Sequence, residues 1–134
     1  MSYDLTFEYP SPPISLNDRH HQLAKARLTA QIREDTNRLG QGIPPMKRCE
    51  VWLTWYVTDR RRRDEENPVP TLKAMCDELV TLGVVPEDTP EFMVKHMPRI
   101  EWTAEGPAHM VLSVAPALPL FSAAIVAQEG AVAA

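Results

Sequence analysis

The chain has 134 residues, of which 44% are hydrophobic and 24% charged, and its formal net charge is −4 at pH 7. This length and composition are typical of one folded domain with a single hydrophobic core. The acidic balance disfavours a protein that coats nucleic acid without specificity, because such proteins are basic overall. It is compatible with a local basic groove, because salt screens all but the nearest charges.

The first residues carry no sign of a targeting segment. Asp4 and Glu8 interrupt any apolar run, so we expect no signal peptide. Cys49 and Cys76 lack the spacing of a zinc site and are expected to be reduced, buried thiols of a cytoplasmic protein. Alternating apolar residues predict a first strand over residues 3–9, which a cluster of prolines ends.

The next element is a predicted helix over residues 19–39 with a regular apolar stripe. Ser15 or Asn17 is expected to cap its start, and Gly40 and Gly42 to end it. Its outer face either follows a phosphate backbone or is simply solvated, and it carries five basic residues: Arg19, Lys25, Arg27, Arg33 and Arg38.

The clearest strand covers residues 49–58, where β-branched and aromatic residues alternate with other large side chains. Both of its faces are rich in apolar side chains, which predicts a central strand. It leads directly into a charge run at residues 59–67. Ligand sites in α/β proteins often lie just past the ends of strands, so this run is a candidate site.

A second helix is predicted over residues 71–82, with Gly83 as its stop. A second acidic loop follows at residues 87–91. Residues 92–102 and 109–115 then have the pattern of two strands, which we expect to pair as a hairpin.

These elements predict an α/β (α+β) fold: one small domain over residues 1–116, with a mixed β-sheet of about four strands packed by two main helices. Residues 117–134 are rich in alanine and valine. They are expected to form a tail or a short helix, and not a membrane span, because prolines and a strand pattern precede them.

The charge run sets four arginines directly before three carboxylates and an amide. Arginine forks match phosphate oxygens, and clustered carboxylates suit a hard cation such as Mg²⁺. A site that needs both is one where a phosphodiester meets a metal ion. Taken alone, however, a run of charges is more often a solvated loop that neutralises itself.

Candidate catalytic residues come from two loops and a helix. Asp64 and Glu66 alternate on a segment expected to be extended, so they share a face and Glu65 turns away. Asp88, from the second acidic loop, is expected to reach the same end of the sheet and to complete a site for one or two Mg²⁺ ions. The metal would polarise a phosphate and activate a water, and Lys73 would stabilise charge in the transition state.

The same residues resemble the RusA family of Holliday junction resolvases. The resemblance spans roughly residues 5–110, and it implies a small dimeric α/β nuclease that cuts four-way DNA junctions by paired nicks with Mg²⁺, for which Mn²⁺ substitutes. Such resolvases are often carried by phages. The matching features are the run from Asp59 to Asp64, Asn67, Lys73 through Asp77 and Leu79, Gly83, Glu87-Asp88, and Pro12-Pro13 followed by Asn17.

The resemblance assigns the family's metal-binding carboxylates to Asp64, Glu66 and Asp88, and its lysine to Lys73. Glu66 departs from the family pattern, which has aspartate, and its longer side chain moves the carboxylate. Extra residues also separate Asn67 from the lysine. DNA contacts are expected from Arg60, Arg61, Arg62, Arg63, Asn67, Asn17 and Arg19.

Two other functions remain open at this point. Glu66 leaves room for a non-catalytic protein of the same fold that binds branched DNA. A nuclease that prefers forks or flaps over four-way junctions is the other. All three predict branched DNA as a partner, in the cytoplasm of a cell or of a phage host, and the family resemblance implies a homodimer.

Overall fold

A computed structural model of the chain describes residues 1–119 as a five-stranded mixed β-sheet with two α-helices. This small α+β domain confirms the predicted fold class, with one strand more than expected, and the helix or tail predicted at residues 117–134 lies largely outside the described residues. Among the described residues, no helix has the length and apolar character needed to cross a bilayer. The elements are β1 (Tyr3–Phe7), α1 (Gln22–Leu39), β2 (Cys49–Val57), α2 (Val69–Thr81), β3 (Met93–Lys95), β4 (Arg99–Trp102) and β5 (His109–Pro116).

Strand β2 is central, as its apolar faces predict. β5 lies antiparallel between β1 and β2, whereas β3 and β4 both run parallel to the other side of β2. The register pairs Cys49 with Met93 at the start of β2 and Val57 with Trp102 at its end. The end of β2 therefore delivers the charge run beside the end of β4.

The hairpin predicted between residues 92–102 and 109–115 is wrong. Residues 92–102 form two short strands, separated near Pro98, which has no amide hydrogen to donate to a ladder. Both reach β2 by a crossover through α2, and β5 pairs with the opposite side of β2. The predicted turn at Gly106 does form, with a φ of 74°, but it joins strands that do not pair.

Both helices pack on one face of the sheet, where α2 contributes the apolar stripe predicted from its sequence: Leu72, Met75, Cys76 and Leu79. The opposite face of β2 carries the half-buried Trp52 and Tyr56. The two cysteines are free and buried, as predicted. Burial raises the pKa of the Cys49 thiol to about 11 and that of the Cys76 thiol to about 12, so both are inert thiols at neutral pH.

Helix α2 ends at the predicted glycine in a Schellman motif. The Gly83 amide donates to the Val80 carbonyl at 2.9 Å, and the Val84 amide donates to the Leu79 carbonyl at 3.0 Å. Gly83 adopts a φ of 83°, which only glycine enters without strain. This turn redirects the chain towards the second acidic loop.

Helix α1 begins later than predicted, at Gln22, and neither Ser15 nor Asn17 caps it. Ser15 instead closes a turn with Asp18, whose carboxylate accepts from the Ser15 amide at 2.8 Å. The cap is His21, whose Nδ1 accepts from the Leu23 amide at 3.3 Å. Arg19 consequently precedes the helix and is not part of its outer face.

Arg33 also leaves the predicted basic face, because it clamps the two helices together. Its Nε donates to Glu78 Oε1 at 2.8 Å and its Nη2 to the Thr81 hydroxyl at 2.8 Å. Asn37 donates to the second oxygen of Glu78 at 3.0 Å. Glu78 is only 7% exposed, so these donors compensate a carboxylate that would otherwise be buried unpaired.

Candidate functional site

The charge run leaves β2 and enters α2 through consecutive turns. Asp64 Oδ1 accepts from the Glu66 amide at 3.0 Å, and the Asp64 carbonyl accepts from the Asn67 amide at 3.1 Å. Aspartate commonly closes a turn in this way, and the turn replaces the extended segment expected from the sequence. Glu65 therefore lines the same cleft as its two neighbours and does not turn away.

An open cleft of about 720 Å³ lies beside this turn, and we call it the charged cleft. Two arginines and three carboxylates form most of its wall, and six of its eight lining residues are among those predicted from the sequence as catalytic or DNA-binding. The lining residues are Asn17, Arg62, Arg63, Asp64, Glu65, Glu66, Asn67 and Met97.

The proline-rich N-terminal loop forms one wall of the charged cleft, although it is some fifty residues away along the chain. Asn17 Nδ2 donates to Asn67 Oδ1 at 3.1 Å, and the Leu16 amide donates to the Asn67 carbonyl at 3.3 Å. The buried Thr71 hydroxyl bonds both the amide and the carbonyl of Ile14, at 3.2 and 2.7 Å. These bonds fix the loop against the start of α2.

The Arg63 side chain, which was predicted to contact DNA, is largely buried and makes its contacts within the protein. Its side chain is 13% exposed, and its guanidinium lies 5.1 Å from the centre of the Trp55 ring. It also donates to the carbonyls of Asp59 and Arg61 at 3.3 and 3.1 Å and pairs with the Asp59 carboxylate at 2.9 Å. These contacts hold the arginine run against the end of β2.

The other three arginines differ in their freedom to meet a ligand. Arg60 lies over the Trp102 ring at 4.3 Å, and the exposed Arg61 pairs with Asp59 at 3.3 Å. Hydrogen bonds from the Arg61 amide and then from the arginine side chains lower the pKa of the Asp59 carboxyl. Arg62 lines the charged cleft itself. Arg61 and Arg62 are therefore the arginines best placed to bind phosphate.

Asp88 lies outside the charged cleft, between two lysines. Lys73 Nζ and Lys95 Nζ each lie 3.1 Å from Asp88 Oδ2, and Lys73 Nζ also lies 2.9 Å from Asp77 Oδ1. Hydrogen bonds from Lys95, and then from Lys73, lower the pKa of the Asp88 carboxyl. Hydrogen bonds to Asp77 and then to Asp88 raise the pKa of the Lys73 ammonium.

The predicted grouping of Asp88 with Asp64 and Glu66 around one metal ion does not form among the described residues. Asp64 follows the end of β2, whereas Asp88 precedes β3, which begins level with Cys49 at the start of β2. A crossover helix between parallel strands must run back along the sheet, so the loops before and after α2 start from opposite ends. Within residues 1–119, no three His, Cys, Asp or Glu side chains group closely enough to hold a metal ion.

The two acidic loops nevertheless share one continuous surface along the edge formed by β3 and β4. Met97 lines both the charged cleft and a neighbouring lysine groove, which contains Lys73 and Lys95. Lys95 in turn lines the depression that contains Asp88. The donor chemistry fits a hard cation, because all three predicted ligands are carboxylates, but Asp88 must leave its lysines to join Asp64 and Glu66.

Lys95 is a residue of this surface that sequence reasoning missed as part of the site, as it missed Glu65 and Met97. Lys95 is the last residue of a short strand, and no motif spacing distinguishes it from a solvated lysine. No protein-family model matches the chain, and a search of curated proteins finds no match. The function is therefore argued from the site itself.

Proposed function

We propose that the protein is a Mg²⁺-dependent endonuclease of the RusA type, which resolves four-way DNA junctions by paired symmetric nicks. The observation that carries this proposal is the charged cleft, which Arg62, Asp64 and Glu66 line together. Guanidinium groups bind phosphate oxygens, and carboxylates bind hard divalent cations. One cleft thus offers the two partners that metal-assisted phosphodiester hydrolysis needs.

In this proposal Asp64 and Glu66 hold the metal ion, and Asp88 joins them from the far side of the lysine groove. A bound Mg²⁺ would supply Lewis-acid chemistry, with a polarised scissile phosphate and a lowered pKa of the attacking water. Lys73 lies at the groove with an exposed ammonium group and neutralises the charge that builds on the phosphate.

The flanking DNA backbone is held by Arg61 and Arg62, which are exposed or line the charged cleft. Arg60 and Arg63 shape the loop by packing on tryptophan rings and add positive charge near the strand. The Asn17–Asn67 pair also lines the cleft and is joined by a hydrogen bond. Because phosphate contacts dominate, the affinity for junctions falls steeply with salt concentration.

A homodimer follows from the symmetry of the substrate. A four-way junction has a two-fold axis, and a two-fold dimer presents equal sites to two opposed strands. Sedimentation equilibrium of the protein, alone and with one equivalent of junction, measures the stoichiometry. Two protein chains per junction are expected, and one chain per junction would contradict paired cutting.

The decisive experiment incubates the protein with Mg²⁺ and end-labelled four-way, three-way, flap and linear DNA. Cuts at symmetric positions on opposed strands of the four-way junction are expected, and Mn²⁺ should replace Mg²⁺. Asp64→Asn is the matched control, because it keeps the size of the side chain and removes one metal ligand. Absence of cleavage on every branched substrate would refute the nuclease, and stronger cutting of flaps or forks would reassign its substrate.

The second candidate function is a non-catalytic protein that binds branched DNA. It is favoured by the position of Asp88, whose carboxylate is already paired with the ammonium groups of Lys73 and Lys95. This function predicts tight, salt-dependent binding of junctions that never leads to cutting in Mg²⁺ or Mn²⁺.

A further inference from the structure

Asp88 has two cationic partners on the same oxygen, although it lies on a loop that is open to solvent. Lys73 Nζ and Lys95 Nζ are each 3.1 Å from Oδ2, so this oxygen lies between two ammonium groups. A single exposed ion pair is weak. Two such pairs on one oxygen form a local arrangement that opposes the approach of any further positive charge.

The two lysines differ in how firmly they are fixed. Lys95 belongs to β3, where its backbone pairs with Val51 of β2, and its side chain is 34% exposed. Lys73 is 59% exposed and has Asp77 as a second partner at 2.9 Å. If Lys73 leaves Asp88, it therefore keeps one carboxylate partner. Asp88 is then left with a single partly exposed ion pair to Lys95, which is weak.

We infer that Lys95 is a positioning residue, and that it and Lys73 are internal counter-ions that keep Asp88 closed to divalent cations until a phosphate draws Lys73 away. This inference extends the proposed nuclease function and rests on it, because release of Asp88 by Lys73 matters only if Asp88 binds a catalytic metal ion. The phosphate reaches Lys73 from the charged cleft, since Met97 lines both the cleft and the lysine groove. DNA binding and metal binding are then coupled, and by linkage each strengthens the other.

The test measures Mn²⁺ affinity of the full chain without DNA, from the electron paramagnetic resonance signal of free Mn²⁺. Lys95→Gln and Lys73→Gln should each raise the affinity at least about fivefold, because each removes a positive charge from beside the site. Lys25→Gln, on the exposed surface of α1, removes the same charge elsewhere and should leave the affinity unchanged. Lys95→Arg retains the charge and should also leave it unchanged.

Two further variants separate the switch from simple structural damage. Adding Asp88→Asn to Lys95→Gln should abolish the gain, because the unmasked carboxylate is gone. A thermal melt confirms that each variant is folded, and Lys73→Gln, alone and with Asp88→Asn, provides the test if Lys95→Gln does not fold. Equal Mn²⁺ affinity of wild type and Lys95→Gln, or an equal gain in Lys25→Gln, would overturn the inference. Junction cleavage by the wild type, measured separately, decides the proposed function independently of this result.

Discussion

Neighbouring arginines of the charge run allow stability and DNA binding to be separated. Arg63 is largely buried, lies 5.1 Å from the Trp55 ring centre and donates to two backbone carbonyls. Arg63→Gln removes the cation–π contact and leaves those carbonyls without this donor, which together costs about 2 kcal/mol of unfolding free energy. The exposed pair with Asp59 adds little, because solvent screens it. Arg62→Gln removes the same charge from the wall of an open cleft and should leave stability unchanged.

Thermal and urea denaturation followed by circular dichroism measure the loss of stability. A drop in melting temperature of about 6–10 °C is expected for Arg63→Gln and none for Arg62→Gln. Fluorescence anisotropy of a labelled four-way junction at several salt concentrations measures DNA binding. Arg62→Gln should weaken binding and reduce the salt slope by about 1, whereas Arg63→Gln should keep most of its slope well below its melting temperature. Equal loss of stability in both variants, or equal slopes, would refute this division of roles.

Three other substitutions test separate parts of the molecule. Asp64→Asn should abolish junction cleavage in Mg²⁺ while binding in EDTA stays equal or becomes tighter, because a negative charge near the phosphate is gone; wild-type cleavage by that variant would remove Asp64 from the site. Gly40→Ala places a Cβ atom 2.9 Å from the Thr36 carbonyl oxygen and should cost about 1–3 kcal/mol in urea denaturation, so unchanged stability would mean that the end of α1 relaxes freely. Arg33→Met leaves the buried Glu78 without its ionic partner and should lower the free energy of unfolding by about 1–3 kcal/mol at pH 7. Adding Glu78→Gln should restore much of that stability, and no rescue would show that packing, and not charge, holds the helices together.

The elements that the sequence predicts well are those with local signals. Strand β2 follows from its own composition, and the end of α2 follows from Gly83, whose positive φ few other residues adopt. The partners of each strand are not local information. The turn at Gly106 has the features of a hairpin, yet β4 and β5 pair with opposite sides of β2. The crossover through α2 places β4 parallel to one side of β2, and β5 then pairs antiparallel with the other side.

The pairing of two distant residues in the candidate site was also predictable, because both belong to the motif of one family. Asn17 and Asn67 were selected from motif residues far apart in the chain, and the structure joins them by a hydrogen bond of 3.1 Å. The unequal roles of the arginines were not predictable, because which guanidinium meets Trp55 or Trp102 depends on the path of the loop. Lys95 was missed for the same reason, since its role depends on a carboxylate brought to it by tertiary structure.

The residues that line the charged cleft help to distinguish a metal-dependent nuclease from a protein that only binds DNA. Three acidic residues, Asp64, Glu65 and Glu66, line the cleft together with Arg62 and Arg63, and Arg63 is already paired with Asp59. Such a wall repels a phosphate backbone unless a cation intervenes. A divalent ion between the carboxylates converts this repulsion into attraction, whereas a protein that only binds DNA gains nothing from keeping them. Junction affinity measured in Ca²⁺ and in EDTA at equal ionic strength therefore separates the two functions before any cleavage is examined: affinity rises with Ca²⁺ if the carboxylates serve a metal, and is unchanged if they do not.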